Sequence, residues 1–229
     1  MISVIIPTYN EKKNIEKIII KLKVIKIVSE IIFVDDHSND GTYDEILKYK
    51  KYKAIGYLRK SKKKDLSKSV LYGVKKSKNK NILVMDCDLQ HNPKYIIKMW
   101  EKFYNSDYEI IIANRFQNEK IIGNLGYFRS FISLLTISLI NLILGKRSQD
   151  PLSGFFLCKK SIILKFQKNF FSCGYKILFD IIYNGKANLK IAHQNIVFNR
   201  RKYAKSKFNF LIIWLFIRQI IFTIFLVKK

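Results

Sequence analysis

The stretch that decides the fold runs from Asn81 to Pro93 and reads N-I-L-V-M-D-C-D-L-Q-H-N-P. Ile82 to Met85 form a short apolar run of the kind found in buried strands. Two carboxylates, Asp86 and Asp88, follow directly with one residue between them. In open α/β sheets, ligands bind at the carboxyl ends of the strands, so these acids are well placed for chemistry. The sequence therefore predicts a functional site at the tip of this strand.

The same turn carries a third oxygen donor, the amide of Gln90, two residues after Asp88. Two carboxylates and an amide oxygen are hard ligands, suited to Mg²⁺ or Mn²⁺ rather than zinc. Such a cation usually keeps several waters and binds substrate phosphates, so a nucleotide diphosphate would complete its shell. The alternative for Asp86 and Asp88 is that they only cap a turn.

Apolar runs, turns and helices with one apolar face alternate along most of the chain. Further strands are predicted at Ser3–Pro7, Ile31–Val34, Ala54–Leu58 (a sheet edge), Glu109–Asn114 and Leu189–Phe198. Helices are predicted after the first strand, with Ile15, Ile18, Ile19, Leu22 and Ile25 on one face, and at Leu66–Ser77, Pro93–Tyr104, Ile132–Leu144 and Gly174–Gly185. This alternation indicates an α/β protein with a mainly parallel, helix-covered sheet.

The composition limits the classes of function. The 229 residues carry a formal charge of +26, which fits binding to nucleic acid, to an anionic membrane surface or to phosphorylated substrates, or a genome rich in lysine codons. Nucleic-acid binding is disfavoured, because the aromatic residues lie mostly in apolar runs rather than among basic ones. Three cysteines without a C-x-x-C pair fit a reducing compartment, and the N-terminus shows no signal peptide.

The C-terminal stretch from Phe208 to Val227 is mostly aromatic or large aliphatic. Arg218 near its middle would cost about 2.5–3.5 kcal/mol in a spanning helix, a cost that the apolar residues offset. The segment could equally lie in the membrane interface with Arg218 reaching toward the headgroups, or form a soluble core helix. We expect membrane contact, with the spanning and surface-lying forms left open.

Six segments together resemble a known family. They are V-I-I-P-T-Y-N-E (Val4–Glu11), V-D-D-H-S-N-D-G-T (Val34–Thr42), M-D-C-D-L-Q-H-N-P (Met85–Pro93), A-N-R-F (Ala113–Phe116), D-P-L-S-G-F-F (Asp150–Phe156) and N-R-R-K-Y-A-K-S-K-F (Asn199–Phe208). The chain resembles the family 2 glycosyltransferases, and within them the polyprenyl-phosphate sugar transferases, the group that includes dolichyl-phosphate mannose synthase. It departs from the family pattern at Arg200 and Ala204, and at Asp65, which begins a segment that replaces a G-x-G.

The resemblance implies a GT-A fold, a Rossmann-like three-layer α/β arrangement with a mainly parallel sheet, followed by a C-terminal hydrophobic helix. Residues 1–205 would form the transferase domain, and residues 206–229 a membrane-associating helix. The protein is then expected on the cytoplasmic face of a membrane, and the resemblance allows a small membrane partner subunit.

The resemblance also implies which residues bind the nucleotide sugar. Tyr9 offers a flat face, and the carboxylates of Glu11 and Asp36 accept hydrogen bonds from the ribose or base. Arg201 and Lys207 would clamp the diphosphate, each contact contributing about 1.5–3 kcal/mol. The full set is Pro7, Tyr9, Glu11, Asp36, Asp86, Arg201 and Lys207, with Mg²⁺ or Mn²⁺ on Asp86, Asp88 and Gln90.

The implied catalytic residues are Asp86, Asp88, Arg115 and Arg129. The two arginines correspond to family residues that receive the acceptor phosphate, for which a planar fork of donors is suited. A solvated surface charge is the alternative for either arginine.

The implied reaction is inverting transfer of a sugar from a nucleotide diphosphate to dolichyl or polyprenyl phosphate, with GDP-mannose as the expected donor. A UDP-sugar such as UDP-glucose is the alternative donor. A saccharide acceptor is the alternative acceptor, but it requires a general base in the later half of the chain. The acids there do not stand out for that role: Asp150 lies in a turn before a proline, and Asp180 is isolated within a predicted helix.

Overall fold

We describe the protein from a computed structural model. The structure describes residues 1–61, 64–115, 127–199 and 210–227, with side chains over the same ranges except 127–132, 210–212 and 227.

Within the described residues, seven strands form one sheet in the order β3-β2-β1-β4-β6-β5-β7. The strands are β1 (Ile2–Thr8), β2 (Val28–Asp35), β3 (Ala54–Leu58), β4 (Asn81–Val84), β5 (Ile110–Asn114), β6 (Phe156–Lys159) and β7 (Ile191–Asn195). All pairs are parallel except those of β6, which runs antiparallel to both β4 and β5. The predicted mainly parallel sheet is confirmed, and β3 lies at its edge as expected.

Helices cover both faces of this sheet, which is why the strands are apolar on both sides. The helices are α1 (Lys12–Lys23), α2 (Thr42–Leu47), α3 (Leu66–Lys76), α4 (Tyr95–Tyr104), α5 (Tyr127–Leu144), α6 (Lys160–Phe166), α7 (Ile177–Tyr183) and α8 (Phe210–Val227). Along β1, Val4 and Ile6 enter one core with α1, α2 and α4, whereas Ile5 enters the other with α3 and α5 to α7. The three-layer arrangement follows from these two cores.

The reversed direction of β6 brings distant segments to the same edge of the sheet. In the register of β4 with β6, Val84 pairs with Phe156, so the carboxyl end of β4 meets the residues that precede β6. Ile112 of β5 also pairs with Phe156, and the carboxyl end of β5 therefore reaches this edge as well. The D-x-D turn, the segment before β6 and Arg115 after β5 all meet there.

The C-terminal helix α8 packs one face on the second core and exposes the other. Phe216 and Ile220 contact that core, and Nε2 of Gln219, on the same face, donates a hydrogen bond of 3.0 Å to the carbonyl of Lys176. Trp214, on the outward face, is 52% exposed. No helix in the described ranges meets the length and hydropathy required to cross a bilayer.

Candidate active site at the carboxyl edge of the sheet

Asp86 and Asp88 lie just beyond the carboxyl end of β4, as the sequence predicts. The Asp86 side chain is 40% exposed at the edge of the sheet, whereas Asp88 is buried. Oδ1 of Asp88 accepts a hydrogen bond of 3.0 Å from the amide of Gln90. Asp88 thus does hold a turn, and this turn brings the Gln90 side chain to the same edge as the two acids.

Gly154, in the segment before β6, lies directly against Asp86. A Cβ added at Gly154 would be 2.7 Å from Oδ2 of Asp86, closer than real contacts of this kind. Only glycine therefore lets the chain approach the carboxylate this closely. The contact joins the D-P-L-S-G-F-F segment to the D-x-D turn.

The late basic motif begins beside Gln90. The Gln90 side-chain Nε2 donates to the carbonyl of Asn199 at 3.2 Å, and the Asn199 amide donates to the Gln90 carbonyl at 3.0 Å. Because Nε2 is used in this way, the amide oxygen of Gln90 faces away from Asn199 and can serve as a ligand. Arg201 and Lys207, the predicted diphosphate clamp, lie outside the described residues, two and eight positions after Asn199.

The donor set Asp86, Asp88 and Gln90 fits a hard divalent cation. It offers carboxylate and amide oxygens at one strand tip. The close approach of Gly154 leaves no room for a side chain between the segment before β6 and Asp86. In the described part of the chain, no group of three His, Cys, Asp or Glu side chains is arranged to hold a metal ion. Two protein carboxylates with an amide agree with the usual Mg²⁺ pattern, in which waters and substrate phosphates supply the remaining ligands.

Arg115 forms a buried ion pair that the sequence did not reveal. Its Nε donates to Oδ2 of Asp150 at 2.7 Å and its Nη2 donates to Oδ1 at 2.9 Å. The Arg115 and Asp150 side chains are 11% and 0% exposed. Burial opposes the charge on Arg115, but the carboxylates of Asp150 and then Asp86 outweigh it and raise the pKa of the guanidinium. The pair fixes a positive charge within electrostatic reach of Asp86.

The second predicted acceptor arginine, Arg129, lies in the first turn of α5. Its side chain is outside the described set. The role of both arginines toward an acceptor phosphate stays a prediction.

Asp36, predicted to contact the nucleotide, is held inside the protein. Its Oδ1 accepts from Nε of Arg59 at 2.5 Å and from the Ser69 hydroxyl at 2.7 Å, and its Oδ2 accepts from the Asp65 amide at 2.8 Å. In turn, Oδ1 of Asp65 caps α3 by accepting from the Lys68 amide at 3.1 Å. Asp65, the first residue of the segment that stands in place of the family's G-x-G, thus works as an N-cap. Contact between Asp36 and a nucleotide stays a prediction.

The other predicted nucleotide residues line the end of β1. Pro7 lies within β1, and the amide of Glu11 donates to the Thr42 hydroxyl at 2.8 Å just before α1. The ammonium of Lys64 lies 3.8 Å from the centre of the Tyr9 ring. The Lys64 ammonium thus lies over one face of the Tyr9 ring. Contact between Tyr9 and a nucleotide stays a prediction.

Tyr175 belongs to the same neighbourhood, which sequence reasoning missed. The preceding Gly174 donates from its amide to Oδ1 of Asp65 at 3.1 Å. Partial burial, followed by the charges of Asp36 and Asp65 and by Tyr9, raises the pKa of the Tyr175 phenol. No short-range sequence pattern marks a residue that arrives from so far along the chain.

Asp180 is the isolated acid considered as a general base, and its carboxylate is used in hydrogen bonds that hold the backbone. Its oxygens accept from the Phe171 amide at 3.2 Å and from the Ser172 amide at 3.0 Å. Burial raises the pKa of its carboxyl, although hydrogen bonds from Gln219 and from these amides oppose the shift. Asp180 therefore anchors the segment before α7 and helps to hold α8.

His91 is a buried residue of the D-x-D turn to which the sequence assigned no role. It is 1% exposed, and its Nδ1 lies 3.9 Å from Oδ2 of Asp86. Burial lowers the pKa of the imidazole to about 4, with the charge of Asp88 opposing the shift and that of Arg115 adding to it. The ring is therefore neutral near pH 7.

Comparison with known proteins agrees with this geometry. The family model of glycosyl transferase family 2 matches residues 3–166. The chain is 32% identical over 223 residues to the dolichol-phosphate mannosyltransferase of Pyrococcus furiosus, an alignment that covers 96% of this chain and 62% of that relative. It is also 30% identical over 189 residues to the dolichol-phosphate mannosyltransferase of Saccharomyces cerevisiae, covering 79% of this chain and 69% of that one. The chain thus spans about two thirds of the length of these relatives.

Solved structures show the same fold. Glucosyl-3-phosphoglycerate synthase from Mycobacterium tuberculosis, in complex with Mn²⁺, UDP and glucosyl-3-phosphoglycerate, superposes with a TM-score of 0.70 at 17% identity. The superposition covers 97% of this chain and 78% of that one. With the sheet order, the site at the strand ends and the family model in agreement, the chain belongs to glycosyl transferase family 2 and has the GT-A fold.

Proposed function

We propose that this protein transfers mannose from GDP-mannose to dolichyl or a related polyprenyl phosphate and inverts the anomeric configuration. The observation that carries the proposal is the placement of Arg115 beside the D-x-D turn, fixed by Asp150 and near Asp86. Such a charge suits a substrate that brings a second anion to a nucleotide-diphosphate site. The similarity to two dolichol-phosphate mannosyltransferases supports the same activity.

On the donor side, Asp86, Asp88 and Gln90 would hold Mg²⁺ or Mn²⁺. The bound cation would supply charge stabilisation for the departing nucleotide diphosphate. The nucleoside would lie over Tyr9 and Lys64, with Pro7 and Glu11 at the end of β1. The link from Gln90 to Asn199 supports a diphosphate position between the acids and the segment that carries Arg201 and Lys207.

On the acceptor side, a lipid phosphate is already ionised near neutral pH and needs no general base. The carboxylates of Asp180 and Asp150 already accept buried hydrogen bonds, which supports an acceptor that needs no general base. Arg115 and Arg129 would orient the phosphate oxygen for in-line attack on the anomeric carbon, so an α-linked nucleotide sugar would give a β-linked product. Catalysis would then rest on placing two anions together and on stabilising the departing charge.

We further propose that α5 and α8 rest on the cytoplasmic face of a membrane and that residues 206–229 act as a membrane-associating segment. The two helices contact each other and expose large apolar side chains. These are Leu134, Leu135, Leu139, Leu142 and Ile143 on α5, and Ile213, Trp214, Ile217, Ile221, Phe222 and Phe225 on α8. Patches of this kind mark interaction surfaces, and the net charge of +26 would add attraction to anionic lipids.

The test is a donor panel with the purified chain in detergent or liposomes containing dolichyl phosphate. Labelled GDP-mannose with Mg²⁺ or Mn²⁺ should give an organic-extractable, mild-acid-labile product, and both chelation and Asp88→Ala should abolish it. UDP-glucose in a parallel reaction tests the alternative donor. Activity of the chain by itself would show that no partner subunit is required. Label found only in water-soluble glycans would contradict the proposal.

A further inference from the structure

His91 is enclosed by residues from two other motif segments. Its ring stacks on Phe155 with centroids 5.2 Å apart, and it meets the edge of Phe198 at 5.3 Å. Phe155 precedes β6 next to Gly154, and Phe198 immediately precedes Asn199. The imidazole is therefore held in a fixed orientation at the point where the three segments of the site converge.

This rigid ring carries a polar atom that no group in the described part of the chain satisfies. Nδ1 of His91 is buried and has no hydrogen-bond partner among the described residues. Leaving a buried polar group unpaired costs about 1–3 kcal/mol, so an orphan atom in a well-packed site calls for an explanation. Aromatic packing alone does not supply it, because phenylalanine would pack between the same two rings without that cost.

A carboxylate of the D-x-D turn lies close to this unsatisfied Nδ1 atom. Oδ2 of Asp86 lies 3.9 Å away, beyond a hydrogen bond but within about 1 Å of one. A carboxylate accepts and cannot donate, so the imidazole tautomer with hydrogen on Nδ1 is favoured beside it. The Asp86 side chain is 40% exposed and has room to move, whereas the buried His91 ring does not.

We propose that His91 is a positioning residue. Its Nδ1–H donates a hydrogen bond to Oδ2 of Asp86 and so turns the other carboxylate oxygen toward the divalent cation. This inference rests on the cation site of the proposed function. Groups that hydrogen-bond a metal ligand fix its orientation, and their removal typically costs 10–100-fold in metal affinity.

Mn²⁺ binding measured by electron paramagnetic resonance of the free ion, with and without GDP, tests the proposal without turnover. His91→Phe keeps the aromatic packing and removes the donor, and we expect Mn²⁺ to bind about 10–100-fold more weakly. His91→Asn should retain most of the affinity, since its amide nitrogen can occupy the place of Nδ1. Wild-type Mn²⁺ affinity in His91→Phe, with or without a lower melting temperature, would overturn the proposal and leave His91 a packing residue.

Two further variants keep the outcome decisive. If His91→Phe does not fold, His91→Asn is compared with His91→Gln, whose longer amide reaches toward the Nε2 position, and equal Mn²⁺ affinities would overturn the proposal. Asp88→Asn tests the cation site itself. Unchanged Mn²⁺ binding in Asp88→Asn would refute the proposed metal site, whereas loss there with wild-type binding in His91→Phe would refute the role of His91 alone.

Discussion

Replacing Gly154 with alanine should damage the proposed cation site and leave the fold intact. An alanine Cβ would lie 2.7 Å from Oδ2 of Asp86 and 3.2 Å from its Cγ and Oδ1, whereas ordinary contacts begin at 3.4 Å. The carboxylate must retreat by roughly 0.7 Å, because repulsion rises steeply inside the contact distance. The Asp86 side chain is 40% exposed and can yield, so we expect little loss of folding stability.

This displacement is large compared with the tolerance of a metal site. Ligand distances in such sites hold to within about 0.2 Å, so a carboxylate that moves several times as far leaves the coordination shell. We expect the Gly154→Ala protein to bind Mn²⁺ about 10–100-fold more weakly than the wild type, a change of about 1.4–2.7 kcal/mol. Formation of lipid-linked sugar at limiting Mn²⁺ should fall in parallel.

A double-mutant cycle with Asp86→Ala isolates this clash. Asp86→Ala removes both the ligand and the atoms that the new methyl group would strike, so Gly154→Ala should have no further effect on Mn²⁺ affinity in that background. Titration of free Mn²⁺ on the four proteins, with melting temperatures as a check on folding, supplies the measurement. Wild-type affinity in Gly154→Ala, or an equal loss in both backgrounds, would refute the reasoning.

Three substitutions test the charged contacts around the site. Asp150→Asn should lower the free energy of unfolding by about 3–5 kcal/mol, because it removes the charged partner that holds the buried guanidinium of Arg115. An unchanged melting temperature would contradict this. Asp36→Asn should destabilise the protein even without nucleotide, since this carboxylate holds a buried ion pair, and a loss confined to nucleotide affinity would argue for direct contact instead. Partial burial disfavours the charged form of the Glu109 carboxyl. The hydrogen bond from Lys186 outweighs this effect and lowers the pKa of the carboxyl from 4.5. Its stabilisation is therefore present above pH 4.5 and is lost as the pH falls through the lower folded value, so Glu109→Gln should reduce the acid-induced loss of stability in urea titrations.

The sequence was sufficient to predict the individual strands and helices. The apolar run before Asp86 ends in a strand tip as predicted, and the edge strand at Ala54–Leu58 is confirmed with its predicted bounds. Boundaries moved by a few residues where a turn competes with a helix. The helix predicted from Pro93 begins at Tyr95, because Asn92 and Pro93 form the turn whose carbonyls accept from its first amides.

The assembly of the site could not be read from the sequence, because its contacts join distant segments. Arg115 pairs with Asp150 across 35 residues, and Gln90 meets Asn199 across 109. Local patterns report helix and strand periodicity and carry no information on such pairings. The sequence could not show that Asp36 forms a buried ion pair with Arg59, because an aspartate is equally suited to an ion pair and to a ligand contact.

The antiparallel strand β6 accounts for the meeting of these segments. Had β6 run parallel to β4, the segment containing Asp150 and Gly154 would lie at the opposite edge of the sheet, far from Asp86. Its reversal instead delivers Asp150 to Arg115 and Gly154 to Asp86 through one short loop. The fork of Arg115 is already held by the Asp150 carboxylate, so its charge would need no rearrangement if, as proposed, a substrate anion binds beside it. Preorganised charge of this kind stabilises a transition state more effectively than a mobile side chain. Arg115→Lys, which keeps the charge and loses the fork, should therefore reduce turnover even when both substrates are saturating.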